Sequence, residues 1–549
     1  MRQQFAQSPG EGLSEVLSAC ELQRAVECFA GRYRDRLYAP LTTLSLFMGQ
    51  ALSADGACQD AVARHLSERS ALGAHKCSLN TGPYCRARQR LSLDLIVYLQ
   101  RQVSLRLEQR QPQAWRWQGR SVKLLDGTTV SMPDTLANQQ AYPQSREQKP
   151  GLGFPLARLV ALISLGSGAV LDWAMGACKG KGTGEHALFR ELFDSLQPGD
   201  VVVADRFHCT YWNLAMLSAR AVDLVSRQHA RRLHDFRRGK RLGRADHIVQ
   251  WQRPSRPAWM DAQTYALIPH QLQVRETRVG SWMLVSTMLD PAQAPSAELD
   301  RLYRSRWNIE VDLRSIKAVM GMDILRCKSP DMVNKEVAIH LLAYTLARAV
   351  MAQAANLAQI TARCLSFKRS VQILDAYHQQ LRHAGVARTG LMIACVLGAI
   401  AQLRLIWRPG RIEPRAIKRR PKPHDLLLVP RELARAKLTA QRQQLLKVVP
   451  RGADPTMDPG RARRLRRSVQ ARTLSAMRGA GTNAERGDGR RCVQLRRRDY
   501  LSDQARHRLF ALSQGRSGSA QSAIVAARVV GNPMGPDLHD PGVARQLEG

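Results

Sequence analysis

Apolar residues recur every three or four positions over residues 13–30, 40–53, 55–72 and 91–109, with Gly, Ser and Pro between the runs. That spacing predicts four helices, with a shorter one after the turn at Gly82-Pro83. The period changes at Ser121. Residues 121–133, 156–165 and 169–175 are dense in β-branched and aliphatic side chains and predict three strands, the last two joined by a Gly-Ser-Gly turn. A helix over 185–196 follows, then a short apolar strand ending in Asp205, a helix over 212–220 and a strand over 222–226.

Strand-strand-strand-helix-strand-helix-strand is the order of a ribonuclease-H-like α/β core, and other α/β folds share it. Polar and basic text from Arg227, closing with strands over 272–279 and 281–289, predicts a β-rich insertion. One continuous helix is predicted over 296–322, with Ser296 as its N-cap and Trp307 among the apolar residues on its buried flanks. Long apolar helices follow over 337–355, 371–381 and 389–407, and His340 there falls on an apolar face as a core histidine. The domains expected are a helical N-terminal region for DNA ends at 1–118, the first part of the core at 119–226, and the insertion at 227–292. The closing helix occupies 293–328, a helical C-terminal region 329–410, and a basic, disordered tail 411–549. From Arg451 onward the tail has many Arg, no Lys and few aromatics, the composition of translated read-through DNA.

Charge narrows the partners. Lys and Arg number 83 against 45 Asp and Glu, a net charge of +38 over 549 residues, which favours a polyanion such as a phosphate backbone. Part of that charge is compositional and lies in the tail. Arg86, Arg88 and Arg90 on the short helix suit either a DNA groove or a solvated face. Eleven cysteines without a CxxC pair, and no His pair at zinc-ligand spacing, predict no structural zinc and a reducing cytosol. The start MRQQFAQSPGEG has no apolar core of the kind a signal peptide needs, and the longest uninterrupted apolar run, 391–401, is too short for a bilayer. A soluble cytoplasmic protein with no membrane partner is expected.

On the helix of 296–322, Tyr303, Arg306, Glu310 and Lys317 lie within about 60° of one another. Alone, such a face suits an internal salt-bridge ladder. Asp126 after the first strand and Asp205 at the end of the fourth change the balance, because those strands are neighbours in a core of this order. Carboxylates brought that close repel unless a cation joins them, and Mg²⁺ prefers oxygen ligands. Two such ions suit in-line phosphoryl transfer.

Tyr303-x2-Arg306-x3-Glu310-x6-Lys317 resembles the Tyr-Arg-Glu-Lys signature of bacterial DDE transposases of the insertion sequence four family. Leu124-Leu-Asp126-Gly-Thr-Thr and Val203-Ala-Asp205-Arg-Phe are similar to the blocks around that family's two catalytic Asp. The resemblance covers residues 121–326, with looser similarity to about 440. It implies that Asp126, Asp205 and Glu310 are catalytic and hold two Mg²⁺ ions, Asp126 bridging, with Mn²⁺ able to substitute. Arg306 and Lys317 would bind phosphates and Tyr303 the same backbone. The implied substrate is double-stranded DNA, at inverted-repeat transposon ends and at the target. A nick frees a 3′-OH that makes a hairpin, a second hydrolysis opens it, and the 3′-OH then joins the target DNA. A homodimer in the synaptic complex, and a bacterial cytoplasmic protein that is nucleoid-associated when acting, are implied as well.

Hairpin formation is easier when a base leaves the stack for an aromatic surface. The family supplies a Trp from its insertion, and Trp282 is the candidate here. Trp251 and Trp259 compete with it, and a core position is the ordinary role of each. Lys179-Gly-Lys-Gly-Thr-Gly184 does not align with a P-loop, although its amides and lysines suit DNA phosphates. His208 stays outside the site, since metal-assisted hydrolysis needs no base there. Two other readings stand beside the transposase: a metal-dependent nuclease of the same fold, and an inactive relic or DNA-binding protein without catalysis.

Overall fold

The computed structural model describes residues 17–448 apart from 34, 54, 72, 74–77, 181, 230 and 406–426, and among the described residues five helices come first. They are α1 (Ala19–Phe29), α2 (Pro40–Leu52), α3 (Cys58–Ala71), α4 (Gly82–Arg90) and α5 (Leu93–Gln109). Local chemistry sets their starts. Ser18 and Glu21 form a capping box at α1, Pro40 opens α2, and the Ser92 hydroxyl accepts from the Leu95 amide at α5. Leu95, Ile96, Leu99 and Val103 then put one face of α5 into the core.

After α5 come β1 (Val122–Ser131), β2 (Leu156–Ser164), β3 (Val170–Ala177), α6 (Glu185–Glu191), β4 (Val201–Ala204), α7 (Tyr211–Ser218) and β5 (Asp223–Arg227). The insertion adds β6 (Lys240–Gly243), β7 (Asp246–Gln252), β8 (Gln271–Val279) and β9 (Trp282–Ser286). All nine strands belong to one sheet in the order β3-β2-β1-β4-β5-β9-β8-β7-β6. β1, β4 and β5 run parallel, while β2 and β3 on one side and β9 to β6 on the other pair antiparallel. The insertion therefore extends the sheet through β9 on β5, with Ser226 opposite Val285. Strands β6 and β7, too polar to announce themselves, were not among the predicted elements.

Alternation along the strands sorts the core into two layers. Leu124, Val201 and Val203 belong to one buried cluster with α5, whereas Leu125, Val202 and Ala204 belong to the other with Leu188 and Phe189 of α6. Because side chains alternate faces, Asp126 continues the side of Leu124, and Asp205 the side of Val203. That is the side on which the later helices pack.

Those helices are α8 (Ser296–Arg304), α9 (Trp307–Arg314), α10 (Pro330–Leu357), α11 (Phe367–His383), α12 (Val386–Ala401) and α13 (Arg431–Val448). By length and composition α10 could cross a membrane, but 83% of its apolar window is buried inside the fold. The helix expected over 337–355 lies within it, and the polar Asp331, Asn334, Lys335 and Glu336 hid its first turns. His340 is buried and its Nδ1 pairs with the Glu336 carbonyl at 2.9 Å.

Five expectations need correction. The helix expected over 185–196 stops at Glu191, and a 3₁₀ turn covers Phe193–Ser195. The stretch of 296–322 is not one helix: α8 ends at Arg304, α9 begins at Trp307, and a single π turn covers Ser315–Val319. Side chains that compete for backbone groups cause the break. The Ser305 hydroxyl donates to the Leu302 carbonyl at 2.6 Å, and the Asn308 amide to the Ser305 carbonyl at 2.7 Å. Pro295, not Ser296, occupies the N-cap, and Trp307 is 58% exposed rather than buried. Within the tail expected to be disordered, residues 431–448 form α13; 411–426 and 449–549 lie outside the described residues.

Candidate active site

The parallel pairing of β1 and β4 ends at Leu124 opposite Val203. Asp126 and Asp205 are each two residues further on, where the two chains part: Asp205 lies just past β4, whereas Asp126 is not after the first strand, as expected, but inside β1 opposite Ala161 of β2. The carboxyl ends of parallel strands are where α/β sheets open crevices. Asp126 Oδ1 accepts from the Gly127 amide at 2.8 Å. Asp205 caps a 3₁₀ turn, Arg206–His208, its Oδ1 accepting from the Phe207 amide at 2.9 Å.

The break between α8 and α9 puts Arg306 at the N-cap of α9, facing these strand ends. Its Nη2 donates to Glu310 Oε1 at 2.7 Å and its Nη1 to Asp126 Oδ2 at 3.4 Å. One guanidinium thus joins a carboxylate of the sheet to a carboxylate of the helix. Burial pushes the Asp126 carboxyl up to about 6; the charges of Asp205 and Glu185 push the same way, against the Gly127 amide and Arg306. Tyr303 is buried, which raises its phenol, and its ring meets Trp282 edge to face at 5.4 Å. Arg304 and Arg227 lie over the Trp282 ring at 5.0 and 5.7 Å. Lys317 Nζ donates to the Thr129 carbonyl at 2.8 Å and to Thr128 Oγ1 at 3.2 Å, on β1 just past Asp126.

All seven candidate residues fall around one end of the sheet, but not as the expected ligand set. Among the described residues, no three His, Cys, Asp or Glu side chains gather as a metal site. Glu310 rests on Arg306 instead. The other two tryptophans are elsewhere. Trp251 is buried and its Nε1 donates to Glu276 Oε1 at 2.9 Å, while Trp259 is 45% exposed beneath Arg190.

The sequence reading missed Glu185. Its carboxylate lies over Gly127, so close that a Cβ there would stand 2.8 Å from Cδ. His208, set aside on sequence grounds, is wholly buried with Nε2 3.0 Å from Glu185 Oε1, and that bond holds the Glu185 carboxyl below its usual range. The signal available was the glycine directly after Asp126.

Residues 117–346 match the family model of the transposase DDE domain. The transposase InsG for insertion sequence element IS4 of Escherichia coli (strain K12) is 27% identical over 317 residues, covering 56% of this chain and 69% of that protein. Among solved structures, a piggyBac transposase synaptic complex with hairpin DNA aligns with a TM-score of 0.37 at 8% identity, over 74% of this chain and 87% of that one. At that score the likeness says nothing further about the fold.

Proposed function

We propose that the chain is a DDE transposase of the insertion sequence four family and that it cuts and joins DNA at the end of the sheet where Asp126, Asp205, Arg306 and Glu310 meet. The observation that carries this reading is the imbalance of charge at Asp126: a largely buried carboxylate beside two others, with Arg306 as its cationic contact. In this reading the strand order, three antiparallel strands followed by two parallel ones, is that of a ribonuclease-H-like core.

The donors fit hard divalent cations in kind, being carboxylate oxygens crowded by like charge. Asp126, Asp205 and Glu310 would hold two Mg²⁺ or Mn²⁺ ions, and Glu310 has to leave Arg306 to do so. Bound there, such ions would supply activation of the attacking oxygen and stabilisation of the leaving one. The freed Arg306 offers its fork of N–H groups to a phosphate of the scissile strand, which suits a guanidinium better than an ammonium. Lys317 keeps β1 in place beyond Asp126 and donates to the neighbouring phosphate. Tyr303 lies along the same backbone, and Trp282, already packed on Tyr303, receives the base displaced when the strand bends into a hairpin. The helices of 1–118 hold the inverted-repeat ends, those of 329–410 supply dimer contacts, and the homodimer works at the bacterial nucleoid.

The test is cleavage of a labelled duplex carrying the inverted repeat that flanks the gene, with Mg²⁺ or Mn²⁺, resolved on a denaturing gel. A hairpin product is expected, absent in Asp126→Ala and in Glu310→Gln, with duplex binding by Glu310→Gln nearly unchanged. Nicks without a hairpin would point to a nuclease, and binding without cleavage under either metal to a relic. Cleavage that persists in Glu310→Gln would sink the assigned site.

A further inference from the structure

Gly127 and His208 are two residues whose identity the reading above leaves unexplained. Neither Gly127 nor the adjacent Asp126 has a positive φ, so no backbone conformation calls for glycine there. What calls for it is space. The Cα of Gly127 faces the α6 side of the sheet, and the Glu185 carboxylate fills the position of the missing Cβ, with Oε2 at 2.9 Å and Oε1 at 3.2 Å from it.

On its other side Glu185 is held by His208 Nε2. His208 Nδ1 is buried with no partner. A bare ring nitrogen is cheaper to bury than an unpaired N–H, so the tautomer carries its proton on Nε2 and donates it to Glu185. His208 closes the 3₁₀ turn that Asp205 caps, and Asn213 Nδ2 donates to its carbonyl at 3.0 Å. A second contact joins the same parts, because His186 stacks on Phe207 at 4.2 Å and 15°.

The contacts form a chain: Asp126, Gly127, Glu185, His208 and the turn of Asp205. It runs beneath the strand ends, on the face opposite Arg306 and Glu310. We propose that Glu185 and His208 are a positioning pair, clipping β1 at Gly127 to the turn after β4 and so setting the separation of the Asp126 and Asp205 carboxylates. Past Leu124 and Val203 the strands no longer pair, and the clip takes over from the ladder. This inference rests on the active-site reading above.

The test is Mn²⁺ binding by the full chain, read from the electron paramagnetic resonance of free Mn²⁺, beside thermal melting followed by circular dichroism. Removing an outer partner of a metal site costs about 10–100-fold in affinity. Glu185→Ala and His208→Ala should weaken Mn²⁺ binding about tenfold or more, whereas a merely structural role would move the melt and leave affinity alone. His208→Gln, which restores a donor near the place of Nε2, should recover most of the affinity. Gly127→Ala, which pushes the Glu185 carboxylate away without deleting it, should weaken binding too and carries the test if Glu185→Ala fails to fold. Wild-type affinity in Gly127→Ala and His208→Ala, with loss in Asp126→Asn, overturns the pair alone. Wild-type affinity in Asp126→Asn overturns the active-site reading itself.

Discussion

Asp312 and Asp126 are both carboxylates removed from water, and they are treated in opposite ways. Asp312, on α9, is fully buried and surrounded by donors: Arg348 Nη2 at 2.5 Å, Arg363 Nη1 at 2.5 Å and the Tyr344 hydroxyl at 3.0 Å. Arg363 also donates to the carbonyls of Ser164 and Leu165, so the network binds α9 to α10 and to the sheet. Asp126 has one backbone amide and one long contact to Arg306, and it faces the charges of Asp205 and Glu185. The first carboxylate is arranged for permanence. The second is left short of positive charge, as the proposed metal site requires, and the fold bears the cost of holding it.

The largest effect should come from the satisfied carboxylate. Asp312→Ala leaves the buried guanidinium of Arg348 and the half-buried one of Arg363 without their acceptor and should cost about 3–5 kcal/mol, measured by urea denaturation. An unchanged midpoint would mean that the network is ornamental. Next comes Asp126→Asn, without divalent ions. The folded-state pKa of about 6 lies above the ordinary 3.8, so the native carboxyl binds its proton more tightly than the unfolded one. Ionisation therefore destabilises the fold progressively between pH 4 and 6 and fully above it. Asp126→Asn should raise stability by about 3 kcal/mol at pH 7.5 and by nothing below pH 4. A loss of stability at pH 7.5 would show Asp126 to be structural. The smallest effect is the control. Glu298 pairs with Arg301 on the exposed face of α8, and Glu298→Gln should change stability by no more than about 0.5 kcal/mol.

Most of the sheet was legible from its β-branched and aliphatic residues, most plainly in β4, which is apolar throughout as strands buried on both faces are. Asp205 was legible for the same reason, as the first acid after that run, and Asp126 as the first acid after Leu124 and Leu125. Periodicity could not locate the break at Ser305, since all of 296–322 keeps helical spacing and the interruption comes from Ser and Asn side chains. It also could not separate Arg306 as a partner of Glu310 from Arg306 as a partner of Asp126, a contact across 180 positions of chain. Glu185 was hidden by its neighbours, because a glycine-rich stretch just before it drew attention to phosphate binding. Its reason for being there is the empty space over Gly127, which no linear pattern carries.

The pairing of β9 with β5 also sets an order of events. Glu310 can dock over the strand ends only after the chain has left β5, built β6 to β8, and returned to lay β9 beside it. Closing so long an excursion is slow compared with forming the local helices and hairpins. A chain that has emerged only through β5 carries Asp126 and Asp205 without Glu310. Under the proposed function, cleavage would therefore wait until the whole sheet has closed.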